Sequence, residues 1–178
     1  MKVEYVDWLD PRAVAQRDAM NAETGAMYAK FVAGQSLEMN AAVDDALSID
    51  AADIVATLLV VDDGPTGPTD STGVTDSTGV LGHAALRVAT GSFAGSVLEV
   101  KKVFVGADAR GRGVARLLMS ELESFARARG AASLVLQTGD VQVPAIRLYE
   151  DIGYHPIPIY GKYVVMPNAL CFEKVLEP

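Results

Sequence analysis

The stretch from Leu98 to Ala115 constrains this chain more than any other. It reads Leu-Glu-Val-Lys-Lys-Val-Phe-Val, then Gly-Ala-Asp-Ala, then Arg110-Gly111-Arg112-Gly113-Val114-Ala115. β-Branched residues followed by glycines and then an apolar helical period predict a strand that feeds a helix through a glycine-punctuated turn. Such a turn is an anion-binding device. The first helical turn has backbone N–H groups without intrahelical partners, and the aligned peptide dipoles leave partial positive charge there. Gly111 and Gly113 carry no Cβ and let a ligand approach the backbone, while Arg110, Arg112 and Arg116 add fixed positive charge around the same turn.

Two familiar phosphate-binding patterns fail on the spacing. A Walker loop ends in Gly-Lys-Ser/Thr, and here Gly113 is followed by Val114 and Ala115. A dinucleotide fingerprint needs a third glycine where the chain has Arg116. It also needs an acidic residue about 20 residues further on, where the next predicted strand ends in Gln137 and Thr138. The plain alternative for the stretch is an arginine-rich helix start in solvent.

Charge narrows the ligand. The chain carries a formal net charge of -8, so its summed field argues against nucleic acid or an anionic membrane as partner. The basic cluster from Lys101 to Arg116 is therefore local and ligand-directed. With 178 residues, half of them apolar, the chain suits one well-buried core, and a single domain over 1–178 is expected. No run approaches the roughly 18 apolar residues of a membrane span, and the first residues hold no apolar signal core, so a soluble cytoplasmic protein is expected. The single Cys171 fits a reducing compartment, or simply a small buried hydrophobe. His83 and His155 have no companions at metal-ligand spacing and read as structural or surface residues, so no metal is expected.

In chain order, Val3 to Trp8 alternates like a strand, and Asp10-Pro11 reads as an N-cap with proline at the first helical position. Residues 12–33 suit one or two helices broken near Asn21 or Gly25, and Leu37 to Leu47 a further helix. Ile54 to Val61 is a buried strand. Between 64 and 79, Thr69-Asp-Ser-Thr-Gly-Val74 repeats at once as residues 75–80. This reads as an expanded hairpin loop, a neutral insertion in preference to a lid, because so polar a segment buries too little to offset its ordering entropy. Val80 to Val88 and Ser96 to Val105 continue a three-stranded antiparallel meander, separated by Thr90-Gly91-Ser92 and Gly95. The helix from Gly113 shows Val114, Leu117, Leu118, Leu122 and Phe125 on one face and stops at Gly130. Ser133 to Gln137 is a strand reached by a right-handed β–α–β crossover.

Arg110 to Ala115 resembles motif A of the GNAT superfamily of N-acetyltransferases, Gln/Arg-x-x-Gly-x-Gly/Ala, at every specified position. Gln142-Val-Pro-Ala-Ile-Arg-Leu-Tyr-Glu-Asp-Ile-Gly-Tyr154 resembles its motif B, with Ala145, Leu148, Tyr149, Glu150, Gly153 and Tyr154 in register. Gln142 stands where the family often has asparagine. His155 to Tyr163 and Cys171 to Leu176 resemble the closing strands of small bacterial members, so the likeness covers roughly 79–176. It implies an α/β (α+β) fold: a mixed, mostly antiparallel sheet with a central parallel β–α–β unit and flanking helices. It also implies that Val103, Phe104 and Val105, the turn of Arg110, Gly111, Arg112, Gly113, Val114, Ala115 and Arg116, and Gln142 hold acetyl coenzyme A. A homodimer is implied by the resemblance alone.

Acetyl transfer sets its own demands. An amine arrives protonated and must lose a proton before it attacks a thioester carbonyl. Glu99 stands in the strand at the position that carries the general base in several family members, and it could take the proton directly or through water; its other reading is a cross-strand partner for a lysine. The departing thiolate needs a proton, which a tyrosine hydroxyl can supply, and Tyr149 matches the family's tyrosine. Its other reading is a core aromatic beside Ala145, Ile146 and Leu148. The expected function is transfer from acetyl coenzyme A to a primary amine, preferably of a small molecule, by direct attack in a ternary complex. The alternatives are a non-catalytic acyl coenzyme A-binding module and a protein N-terminal or lysine acetyltransferase.

Overall fold

The structure, a computed structural model, describes residues 1–63, 79–89, 93 and 96–177. The expectations for the tandem Thr-Asp-Ser-Thr-Gly-Val segment and for the turn at 90–92 and 95 fall on residues outside that set.

The elements follow in the order β1 (Lys2–Val6), α1 (Pro11–Ala33), α2 (Leu37–Leu47), β2 (Ile54–Val61), β3 (Val80–Val88), β4 (Val97–Val105), α3 (Val114–Ala128), β5 (Ser133–Gly139), α4 (Val143–Asp151), β6 (His155–Ile157) and β7 (Ala169–Val175). Capping chemistry starts the first two helices. The Asp10 carboxylate accepts from Arg12 N at 2.8 Å with Pro11 at the first position, and Ser36 Oγ accepts from Met39 N at 3.1 Å. The expected break near Asn21 or Gly25 is absent. α1 runs unbroken for 23 residues, because one interior glycine costs only about 1 kcal/mol and a break would forfeit several backbone hydrogen bonds.

Seven strands form one sheet in the order β1-β2-β3-β4-β5-β7-β6. Every pair is antiparallel except β4 and β5, which α3 joins by a crossover. β6 is shorter than the run from His155 to Tyr163 suggested. Pro156 and Pro158 cannot donate to a ladder, which confines the segment to an edge, and Gly161–Val165 turns into a short 3-10 helix.

α3 covers one face of the sheet with Val114, Leu118, Met119, Leu122 and Ala126, against Leu58, Leu86, Val100, Leu134 and Leu136, and Tyr149 of α4 joins this core. Each fully buried Leu contributes on the order of 1.5–3 kcal/mol. Glu123 of α3, expected away from the apolar face, is buried beside it and accepts from Lys174 Nζ at 2.7 Å. Gly82 allows the close approach of helix to sheet: a Cβ there would stand 2.7 Å from Phe104 O and 2.9 Å from Val114 Cγ1. On the other face α2 and the 160–166 segment enclose Val135, Tyr160, Tyr163 and Cys171.

One irregularity shapes everything that follows. β4 and β5 pair only from Val97↔Ser133 to Val100↔Leu136, although β4 continues to Val105 and β5 stays paired with β7 through Gly139. Against β3, Ala85 faces Lys101 but His83 faces Phe104, so β4 holds one extra residue there. Lys102 has φ 53, the one non-glycine residue with positive φ among the described residues. A bulge of this kind bends a strand and ends its pairing, and here it opens a wedge between the two parallel strands.

Candidate active site in a split sheet

Two contiguous cavities fill the wedge. The larger, about 360 Å³, lies under α1 and α2 and is lined on the sheet side by Val100, Lys101, Lys102, Gln137 and Thr138. The second, about 270 Å³, runs past Val103, Phe104, Val105, Arg110, Ala115 and Pro144. Met20, Thr24, Val103, Gln142 and Tyr149 line both, so the two adjoin. α1 roofs it. Tyr28 crosses the end of β5 so closely that a Cβ on Gly139 would overlap its hydroxyl and stand 2.9 Å from its Cζ, and Gln142 Nε2 donates to that hydroxyl at 3.3 Å.

At the outer end stands the glycine turn. Gly111 and Gly113 have φ 74 and 81, a region that glycine enters without a Cβ penalty. Gly113 is the N-cap of α3 and no side chain caps it. The backbone N–H groups of residues 111–116 donate no hydrogen bond among the described residues, leaving a row of donors at the positive end of a helix dipole. The three arginines each meet a carboxylate instead: Arg110 meets Glu23 at 2.6 Å, Arg112 meets Asp62 at 3.0 Å and Arg116 meets Asp151 at 2.8 Å. The anion-attracting character of the turn therefore rests on its amides more than on guanidinium charge. Gly111, Arg112, Gly113, Val114 and Arg116 do not line the cavities; Val114 packs its side chain into the core.

Tyr149 sits where the cavities join. It is buried against Tyr154 and Phe172, and burial pushes its hydroxyl up to about 12, so it stays protonated. That hydroxyl makes no hydrogen bond among the described residues and is free to meet a ligand.

Glu99 is placed differently. It is fully buried and lines neither cavity. Arg87 Nε donates to its Oε2 at 2.6 Å; the hydroxyls of Tyr160 and Tyr163 donate to its Oε1 at 3.0 and 2.5 Å. Lys101 Nζ lies 3.7 Å from Oε1 and donates to the Tyr163 hydroxyl at 2.6 Å. With both oxygens so committed and neither cavity reaching it, Glu99 has no direct path to a group in the cavities, and a proton relay from it would run through water or an intervening side chain. Arg87 of β3 stands opposite Glu99 in the ladder and is its cross-strand partner, where a lysine was expected. Lys101 does line the larger cavity, and burial brings its ammonium down to about 8 against the opposing pull of Glu99.

Sequence reasoning placed Lys101 and Lys102 in a ligand-directed basic cluster without giving either a role, and it missed Tyr28. Adjacent lysines in a strand carried no signal of a bulge, and nothing in a long alanine-rich helix marks Tyr28. Among the described residues no helix is long and apolar enough to cross a membrane, and no group of three metal-ligating side chains assembles.

The sheet is parted between two parallel strands, with an uncapped helix N-terminus near one cavity and α1 and α2 over the other. The family model for the acetyltransferase (GNAT) family matches residues 53–154, more than half of the chain, and the chain belongs to that family. It is 37% identical to the IAA acetyltransferase of Azospirillum brasilense over 97 residues, 54% of this chain and 61% of that protein. The chain thus spans less than two thirds of the length of the curated relatives it matches. Two solved structures share the fold over nearly all of both chains. An acetyltransferase of the GNAT family from Staphylococcus aureus has a TM-score of 0.64 at 10% identity, covering 99% of this chain and 100% of its own. The PaiA N-acetyltransferase of Thermoplasma acidophilum, in complex with coenzyme A, has a TM-score of 0.60 at 13% identity, covering 98% and 99%.

Proposed function

We propose that the chain transfers an acetyl group from acetyl coenzyme A to the amine of a small molecule, by direct attack in a ternary complex. The observation that carries this reading is the pair of adjoining cavities in the wedge, which reach from Arg110 and Ala115, beside the unpaired amides of residues 111–116, past Tyr149 to the space under α1 and α2. A diphosphate suits the amides, because N–H groups at a helix start bind anions. An extended arm carrying amides suits strand edges that lose their partner after Val100 and Leu136. Gln142, already hydrogen-bonded to Tyr28, can exchange that contact for the arm. The cavity of about 360 Å³, walled by side chains of α1 and α2, is of a size that supports a small acceptor over a polypeptide.

In this reading the amine gives one proton to neutral Lys101, a share of which exists near its pKa of about 8, and Lys101 passes it to solvent. The nitrogen attacks the thioester carbonyl, the C–N bond forms and the C–S bond breaks. Tyr149 protonates the departing sulfur, and the second proton lost by nitrogen restores the tyrosine. Glu99 is then a positioning residue, acting through Lys101 and Tyr163.

Calorimetric titration with coenzyme A, followed by a thiol-release assay across primary amines, tests the reading. Micromolar binding with turnover is expected. No binding at millimolar coenzyme A would overturn it, and binding without turnover on any amine would favour an acyl coenzyme A-binding module.

A further inference from the structure

The sheet face under α1 and α2 holds more cationic charge than it balances. Arg17, Arg87 and Lys101 are buried there and Lys102 is half-buried, against one buried carboxylate, Glu99. His83, in the same layer, is held neutral by burial, its pKa brought down to about 4. Arg87 and Lys101 share Glu99. Arg17 stacks 3.6 Å over Trp8 and donates to its carbonyl at 2.7 Å. Lys102 has less: its ammonium reaches only Asn21 Oδ1, at a long 3.4 Å, and meets no carboxylate among the described residues. Both Lys102 and Asn21 line the larger cavity. The carboxylate on that lining, Asp44, is exposed to solvent.

The backbone adds a second observation. Lys102 holds a left-handed φ of 53 that glycine would adopt without strain, and a long side chain at such a position costs on the order of 1 kcal/mol or more. What lysine supplies there and glycine would not is the ammonium. A half-buried cation that meets no carboxylate among the described residues is stabilised when an anion enters the cavity beside it.

We infer that the acceptor is an amine that also carries a carboxylate, an amino acid or a close analogue, and that Lys102 binds that carboxylate while the amine faces Tyr149. This rests on the transferase reading above. The thioester's own anionic end belongs at the distant glycine turn, so the ammonium of Lys102 is left for the acceptor.

Matched pairs separate the claims: β-alanine against β-alaninamide, 4-aminobutyrate against its amide, and phenylalanine against phenylalaninamide. Each pair differs in one negative charge. With protein saturated by coenzyme A, calorimetry is expected to show at least one acid binding tenfold or more tightly than its amide, and thiol release to show the same order in kcat/KM. Lys102→Met should bring that ratio near one, while Lys102→Arg keeps it. Amides or cationic amines that bind as well as the acids, or an acid preference that survives Lys102→Met with coenzyme A binding intact, would overturn the inference. The binding arm reads the preference even if no amine is turned over, so failure of the transferase reading stays distinct.

Discussion

His83 Nδ1 lies 2.8 Å from the carbonyl oxygen of Lys102, and this contact joins β3 to the bulge that opens the sheet. The other ring nitrogen, Nε2, lies 3.4 Å from Arg17 Nη1. A guanidinium can only donate, so Nε2 accepts and the ring proton sits on Nδ1, where it is donated to the Lys102 carbonyl. The neutral ring thus pins a left-handed residue at the apex of the wedge and takes up a hydrogen from α1.

Stability should therefore fall in mild acid. The folded pKa of His83 is about 4 against 6.5 for the free side chain, with burial as the main cause. The unfolded chain binds the proton first, so this contribution is complete above about pH 6.5 and is lost as pH drops toward 4. It amounts to roughly 3 kcal/mol. Urea unfolding at pH 7 and pH 5 should show the loss, and His83→Gln should flatten that part of the profile. An unchanged slope in the variant would discard this account.

Glu99→Gln should destabilise the fold by about 3–5 kcal/mol, because it leaves Arg87 buried without its carboxylate. Urea midpoints measure this directly. In whatever fraction folds, the rising limb of the pH–rate profile should move to lower pH, since the Glu99 charge holds the Lys101 ammonium up. A limb that stays in place would remove Lys101 from the proton path.

Tyr149→Phe should lower kcat by about 100-fold or more, the range for loss of a general acid. It keeps the aromatic packing on Tyr154 and Phe172, so thermal melting should stay close to that of the parent. A rate within threefold of the parent would leave Tyr149 as a core aromatic.

Gly82→Ala should cost about 1–3 kcal/mol by overpacking. The backbone oxygen of Phe104 in the neighbouring strand β4 and the Val114 side chain of α3 stand where the methyl group must go. Thermal denaturation checks the loss, and a melting point equal to the parent's would show that the helix start yields freely.

Much of the fold was legible in the chain. Local chemistry set it: Asp10-Pro11 as a cap, the apolar run of Ile54 to Val61, the amphipathic period from Val114, and a parallel pair that required a crossover. α2 and β2 fall on the bounds their periodicity gave, Leu37–Leu47 and Ile54–Val61. The β1 boundary moved to Val6 because Asp7 and Trp8 enter the turn before α1, where the Asp7 side chain accepts from Leu9 N at 2.7 Å.

The sequence by itself determined the open helix start at residues 111–116, because glycine spacing and an uncapped N-terminus act over a single turn of chain. Only the tertiary structure decided which charged residue faces a ligand. The extra residue at Lys102 ends the pairing of β4 with β5, and Arg87, Tyr160 and Tyr163, from 12 to 64 residues away, close over Glu99. Burial and counter-charge depend on partners distant in the chain, and no local pattern reports them.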